Sequence, residues 1–98
     1  MLKRNALIEE FSLDEIYARD EGICLLCGLD VLRKNATMDH VVPLSKGGLH
    51  QRDSVVLAHR TCNTRKYDKS LEEYLARWPR KRELSDALAA RILLASNS

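Results

Sequence analysis

Two short pairs of metal-binding side chains constrain this chain more than anything else in it. Cys24-x2-Cys27 and His59-x2-Cys62 share one spacing, and each pair can bite a single ion from a tight turn. Together they supply three thiolates and one imidazole, a usual donor set for a tetrahedral structural zinc. An ion held by all four would close a loop of 31 residues between Cys27 and His59. A filled four-ligand site keeps no position for water, so the Zn2+ expected here is structural, with ligand deprotonation coupled to folding. The cysteine count of three is odd, which suits a metal site better than a disulfide framework and a reducing cytoplasm better than an oxidising compartment.

Size explains the value of such a staple. The 98 residues suit one compact domain, with a core expected at about 15–70 and a C-terminal helical extension at about 71–95. A domain this small buries only part of its apolar surface, so extra fastening is common. A chain 45% hydrophobic and 31% charged reads as globular and excludes a disordered one. The start, Met1-Leu2-Lys3-Arg4-Asn5, leads into no long apolar run, so no signal peptide is expected. No stretch approaches membrane-spanning length, so no membrane partner is expected either.

The net charge of +2 says little, but its distribution is uneven. From Arg60 to Arg82 there are eight Lys or Arg against three acids, a local balance of +5. The acids gather instead at the front, in Glu9, Glu10, Asp14, Glu15, Asp20 and Glu21. That layout suits a polyanion on one face, and equally a solvated helical surface.

The local signals predict an α+β fold. Ser12-Leu13-Asp14-Glu15 is a capping box that starts a helix through about Arg19, and Gly22 ends the element. Ile23 to Gly28 reads as the turn that carries Cys24 and Cys27. Thr37 to Val42 reads as a strand stopped by Pro43, and Leu44 to Asp53 as a loop centred on Gly47-Gly48. Ser54 to Ala58 reads as a second strand and Arg60 to about Lys69 as a helix. A second capping box, Ser70-Leu71-Glu72-Glu73, opens a helix to Arg77, and Pro79 breaks it. Glu83 to Ala95 is predicted helical, with Leu84, Leu88, Ile92 and Ala95 along one stripe. Ser96-Asn97-Ser98 should fray.

The candidate chemistry lies between the ligand pairs. Asp39 offers a hard carboxylate oxygen for a divalent cation. His40 offers an imidazole whose ordinary pKa suits proton abstraction near neutral pH. Asn63, at the predicted helix start, offers an amide oxygen that adds no charge. Lys66 and Tyr67 follow three and four residues on, on one helical face with Asn63, which would aim Lys66 at a phosphate. In-line attack on a phosphodiester needs an activated water, charge stabilisation at phosphorus and help for the leaving oxygen. His40 could take the water's proton, and an ion on Asp39 and Asn63 could serve the other two. Two protein ligands leave room for waters and phosphate oxygens, as suits Mg2+. Neighbours on an ideal strand point to opposite faces, so Asp39 and His40 share a site only if the strand twists or ends there.

These residues resemble a known family. Cys24-x2-Cys27, Asp39-His40-Val41-Val42-Pro43-Leu44-Ser45-Lys46-Gly47-Gly48 and His59-x2-Cys62-Asn63-x2-Lys66 closely resemble HNH endonucleases, in the zinc-containing branch common in phages and bacteria. The resemblance covers about residues 15 to 70. It implies a ββα-metal (His-Me finger) core, flanking helices at both ends, and metal-dependent phosphodiester cleavage of DNA, expected to be double-stranded. It assigns His40 as general base, Asp39 and Asn63 as ligands of a catalytic Mg2+, Mn2+ or Ni2+, and Cys24, Cys27, His59 and Cys62 as zinc ligands, with His59 in place of a more usual Cys. The family's middle residue, usually Asn, stands five positions before the third zinc ligand; here it is Ser54, shorter and with a single hydroxyl, and Asp53 beside it would have to turn inward to compensate. His50, which recurs in some members, would touch the ion or a phosphate, or lie on the loop surface.

The candidate nucleic-acid contacts are Lys46, His50, Arg65, Lys66 and the run Arg80-Lys81-Arg82. A cut through both strands would need two sites or one site working twice, so a homodimer or larger assembly is among the expectations. The setting implied is the cytoplasm of a bacterial cell or of a phage-infected host. Two alternatives stand beside the nuclease: a zinc-stapled nucleic-acid-binding module with weak or no cleavage, favoured by Ser54, and a protein-interaction module using the Leu84–Leu88–Ile92 stripe.

Overall fold

The structure, a computed structural model, describes residues 9–96. The start at Met1–Asn5 and the last two residues, Asn97 and Ser98, lie outside the described residues. Four α-helices and one two-stranded sheet are found among those described. Helix α1 spans Leu13–Arg19. Strands β1 (Ala36–His40) and β2 (Val55–His59) pair antiparallel, with Met38 opposite Leu57 and His40 opposite Val55. Helix α2 (Arg60–Lys66) leaves β2 with no connecting loop, and α3 (Leu71–Arg77) and α4 (Asp86–Ser96) follow.

Both capping boxes form. Ser12 Oγ accepts from the Glu15 amide at 3.1 Å while Glu15 accepts from the Ser12 amide at 3.2 Å. Ser70 and Glu73 repeat the arrangement at 3.1 and 2.9 Å. Each box satisfies amides that the first helical turn leaves without partners.

The expected boundaries need several corrections. Both strands lie slightly off the expected spans: β1 begins at Ala36 and ends at His40, and β2 runs from Val55 through His59. Beyond His40 the chain turns through Val41-Val42-Pro43, which cannot continue a ladder. Helix α2 stops at Lys66 because Tyr67 takes φ 51°, a left-handed conformation that ends a helix. The last helix starts at Asp86, leaving Leu84 before it; Leu88 and Ala95 are buried, and Ile92 is half-buried. The stripe on this helix therefore packs inward.

Strand β2 is the centre of the core. Val55, Val56, Leu57 and Ala58 are all fully buried, because α1, α2 and α4 pack around the strand that pairs with β1. This explains a run of four consecutive apolar residues in place of the alternation of a half-exposed strand.

One acid of the front cluster lies inside. Asp20 is fully buried. Its carboxylate accepts from the Leu57 amide at 2.9 Å and takes the Arg19 guanidinium in a two-point pair at 2.7 and 2.8 Å. The same guanidinium reaches the Val55 carbonyl at 2.8 Å, and Arg91 of α4 stands 3.6 Å from Asp20. Asp20 thus ties α1, β2 and α4 together. Asp20→Ala should cost about 3 kcal/mol, since it strands a half-buried guanidinium and a buried amide; urea unfolding that moves by less than half of this would remove Asp20 from the framework.

Candidate active site and metal centre

The knuckle at Cys24–Cys27 is built by backbone. The Gly28 amide donates to Cys24 O at 2.7 Å, and the Cys24 amide to Leu29 O at 2.9 Å. Gly28 takes φ 84°, and a Cβ there would run into the Arg82 carbonyl, so glycine is required on two counts. The knuckle is fastened to β2 by Leu25 N to Leu57 O at 2.9 Å. His59 closes β2 and caps α2, and Cys62 lies one turn into that helix.

Together these elements gather Cys24, Cys27, His59 and Cys62, whose ligand atoms all lie within 4.8 Å of one another. His59 Nδ1 is 3.4 Å from Cys27 Sγ and 3.7 Å from Cys62 Sγ. Tetrahedral zinc with its usual bond lengths puts sulfur and nitrogen about 3.5 Å apart, so the group can hold zinc. In the absence of a cation the protons stay on most of the sulfurs. The Cys24 thiol is pushed up to about 12 by its hydrogen bond to Cys62 and by burial, and burial also pushes Cys27 up. Cys62 is held down by the hydrogen bond from Cys24.

The second cluster lies at the far end of β1. Asp39, His40 and Asn63 line one open groove of about 330 Å³, with Pro43, Leu44, Ser45, Tyr67 and Asp68 around it. Asp39 and His40 share it because β1 ends at His40, so the strict alternation of faces no longer applies. The loop that follows is folded tightly: the Gly48 amide donates to Pro43 O at 3.0 Å, and a Cβ on Gly48 would strike the Val42 carbonyl.

Asp39 is nearly fully buried, and burial pushes its carboxyl up to about 6 despite the opposing Lys66 charge. Lys66 Nζ stands 3.3 Å from Asp39 Oδ2, within ion-pair reach, yet that oxygen receives no directed hydrogen bond. A buried carboxylate oxygen short of donors, on a groove shared with an amide side chain, fits a hard divalent cation. His40 is held below the ordinary histidine range by burial first and then by the nearby His50 and Lys66 charges. Its imidazole is therefore neutral at pH 7, as proton abstraction requires.

Several expected contacts are placed differently. Lys66 is fully buried, and its ammonium donates to the His40 carbonyl at 3.1 Å. It faces Asp39 and the end of β1, so the expected phosphate contact is corrected: Lys66 props the groove from inside. Tyr67 leaves the helix and is 77% exposed, but it still borders the groove. Arg80 donates to Leu25 O and Arg82 to Gly28 O, both at 2.9 Å, and the Lys81 amide donates to Cys27 O at 2.8 Å. That run braces the knuckle, while the Lys81 side chain and much of Arg82 stay exposed. Lys46 stays on the surface, 3.7 Å from Glu73. Arg65 lies beside Trp78, away from the groove.

His50 does reach the site. Its Nδ1 is 2.9 Å from His40 Nε2, and its ring stacks on Phe11 with centroids 4.7 Å apart. Ser54 is buried, and its hydroxyl has no hydrogen-bond partner. Its carbonyl accepts from the Val41 amide at 3.3 Å, so this position joins the loop to the sheet through backbone alone. The His50 partnership was legible only as a motif position, because a ring pair spanning ten residues of loop leaves no periodic trace.

Comparison with known proteins bears on this arrangement. The family described as HNH endonuclease matches residues 24–69, just under half of the chain, from the first zinc-type ligand to the residues after α2. That segment is similar to the HNH endonuclease family. No curated protein matches by sequence. Among solved structures, the crystal structure of the Type II-C Cas9 enzyme from Actinomyces naeslundii is similar, with a TM-score of 0.62 and 17% identity. The likeness takes in 96% of this chain and 12% of that much longer one, and it is a likeness of fold alone.

Metal removal should act on the fold. A competing chelator at pH 7.5 should release one zinc per chain and lower the melting temperature by more than 10 °C, and acidification should release the same ion by protonating the sulfurs. A chelated sample with an unaltered melting curve would show that the four ligands carry no structural ion.

Proposed function

We propose that the chain is a metal-dependent endonuclease that hydrolyses DNA phosphodiester bonds at the groove between the end of β1 and α2. The observation that carries this reading is the convergence of Asp39, His40 and Asn63 on one open groove, within a segment similar to the HNH endonuclease family. Asp39 and Asn63 would hold a divalent cation, which when bound supplies charge for the scissile phosphate and the leaving 3′ oxygen. His40 accepts the proton of the attacking water. His50 holds the His40 ring through the 2.9 Å nitrogen–nitrogen contact. This is the orienting task usually given to the family's Asn, and it is a task that the Ser54 hydroxyl does not perform. Lys66 fixes both residues from behind, by its charge on Asp39 and its bond to the His40 carbonyl. The groove is open, and the stretch from Arg60 to Arg82 carries a positive local balance, which suits a polyanion. Among the described residues no helix is long and apolar enough to cross a membrane.

The deciding experiment is cleavage of plasmid DNA with Mg2+, Mn2+ or Ni2+. The wild-type chain should cut, and His40→Ala should lower the rate at least 100-fold while melting temperature and DNA binding stay unchanged. Binding without cleavage under every ion would leave the zinc-stapled binding module as the better reading.

The pH dependence has a definite sign. The base works when neutral, and the folded His40 is held below its ordinary value of 6.5. The acid limb of the rate profile should therefore lie below pH 6.5, with activity rising as pH climbs through it. In His50→Ala one of the charges depressing His40 is gone, so the limb should move to higher pH as the maximal rate falls. A limb that stays in place in that variant would remove His50 from the site.

A further inference from the structure

Trp78 is the single tryptophan of the chain, and it lies outside the groove just described. It ends α3 immediately before Pro79 and stacks on Tyr74, with ring centroids 5.3 Å apart and planes 26° from parallel. Three cations surround its ring: Arg77 at 5.2 Å, Arg65 at 5.6 Å and Lys69 at 5.9 Å from the centroid. Beside it is a concavity of about 320 Å³ walled by Trp78, Tyr74 and Pro79, rimmed by Arg65, Arg77 and Lys81, and backed by Cys27 of the knuckle.

Most cations elsewhere among the described residues are paired with acids, Lys34, Arg60 and Arg80 excepted. Arg19, Arg33, Arg52, Arg82 and Arg91, with Lys46 and Lys66, all stand within ion-pair distance of a carboxylate. Among the described residues Arg65, Lys69, Arg77 and Lys81 have no such partner. Arg65 donates to the Tyr74 hydroxyl and Lys69 to the Arg65 carbonyl, both neutral acceptors. No acid lines the concavity. Uncompensated cations that converge on an aromatic wall repel one another, and an anion bearing a flat ring relieves that repulsion while using the ring face.

The geometry points to a second nucleic-acid subsite at Trp78, which takes an unpaired nucleotide with its base against the indole and its phosphates on Arg65, Lys69, Arg77 and Lys81. A concave aromatic pocket suits a base free of its stack; a paired duplex offers only its backbone to such a surface. Asn63 and Arg65 are two positions apart on α2, about 200° around the helix, so groove and subsite lie on opposite sides of it. They are separated by about one helix diameter, 10–12 Å. A strand cut in the groove would thus have an unpaired neighbour held across α2, and the favoured substrate class is DNA carrying an unpaired segment next to the scissile bond. This rests on the nuclease reading for the nature of the ligand.

Trp78 is its own reporter. The zinc-loaded chain, with no divalent ion added and no chelator, is titrated with single-stranded oligonucleotide, duplex of the same length, and poly-glutamate. Single strands should quench the tryptophan emission by more than a third, while duplex and poly-glutamate should change it little. Arg77→Gln, at an exposed position, should weaken the single-strand affinity several-fold and reduce the salt slope by about 0.7, as one lost phosphate contact requires. Trp78→Phe, checked for zinc content and melting temperature, should retain more affinity than Trp78→Leu. Equal quenching by all three polyanions, or oligonucleotide binding with no change in emission, would overturn the subsite. Plasmid cleavage is scored separately: cutting without quenching ends the subsite and leaves the nuclease, and quenching without cutting does the reverse.

Discussion

The junction at His59 is the point on which the rest of the structure depends. One residue ends β2, caps α2 and presents Nδ1 to two sulfurs at 3.4 and 3.7 Å. Because no loop intervenes, the direction of α2 follows from how the Cys3His group closes. That direction decides whether Asn63, four residues on, reaches the groove where Asp39 and His40 lie. The knuckle adds its own attachment to β2 through Leu25 and Leu57. A small core would otherwise leave a seven-residue helix free to tilt, since so short a helix has little stability of its own.

A second framework works from the other side. Asp20 links α1, β2 and α4 without any metal, and the Arg80–Arg82 run grips the knuckle from the C-terminal segment. The C-terminal helices are therefore part of what holds the centre in place. The similarity to the Cas9 crystal structure extends over 96% of the chain, well past the segment matched by the HNH family, in agreement with this packing.

What could be read in the sequence was local or periodic. The capping boxes at Ser12 and Ser70 and the two ligand pairs each follow from a few adjacent residues, and each forms. The misplacements have a common cause. Lys66 looked like a phosphate ligand because its spacing from Asn63 is all that a sequence shows; its burial depends on β1 lying across α2, a tertiary fact. Asp20 was one of six acids at the front, and nothing local separates the buried one from the solvated five. Arg80 and Arg82 carry the same charge whether they meet phosphates or knuckle carbonyls. The strand ends moved by a residue or two because ladder pairing and the turn at Pro43, more than β-propensity, set them. The assignment of Asp39, His40 and Asn63 came from motif spacing, and the fold places all three on one groove.

The buried ammonium behind Asp39 has a consequence for how the two metal centres would differ in kind. With an internal counter-charge already beside it, Asp39 needs no visitor to be tolerated inside the fold, so the groove can be complete before any cation enters. The thiolate cluster has no such understudy. One ion would therefore belong to the architecture and be acquired once, during folding, whereas the other would behave as a reagent, drawn from solution and surrendered between turnovers.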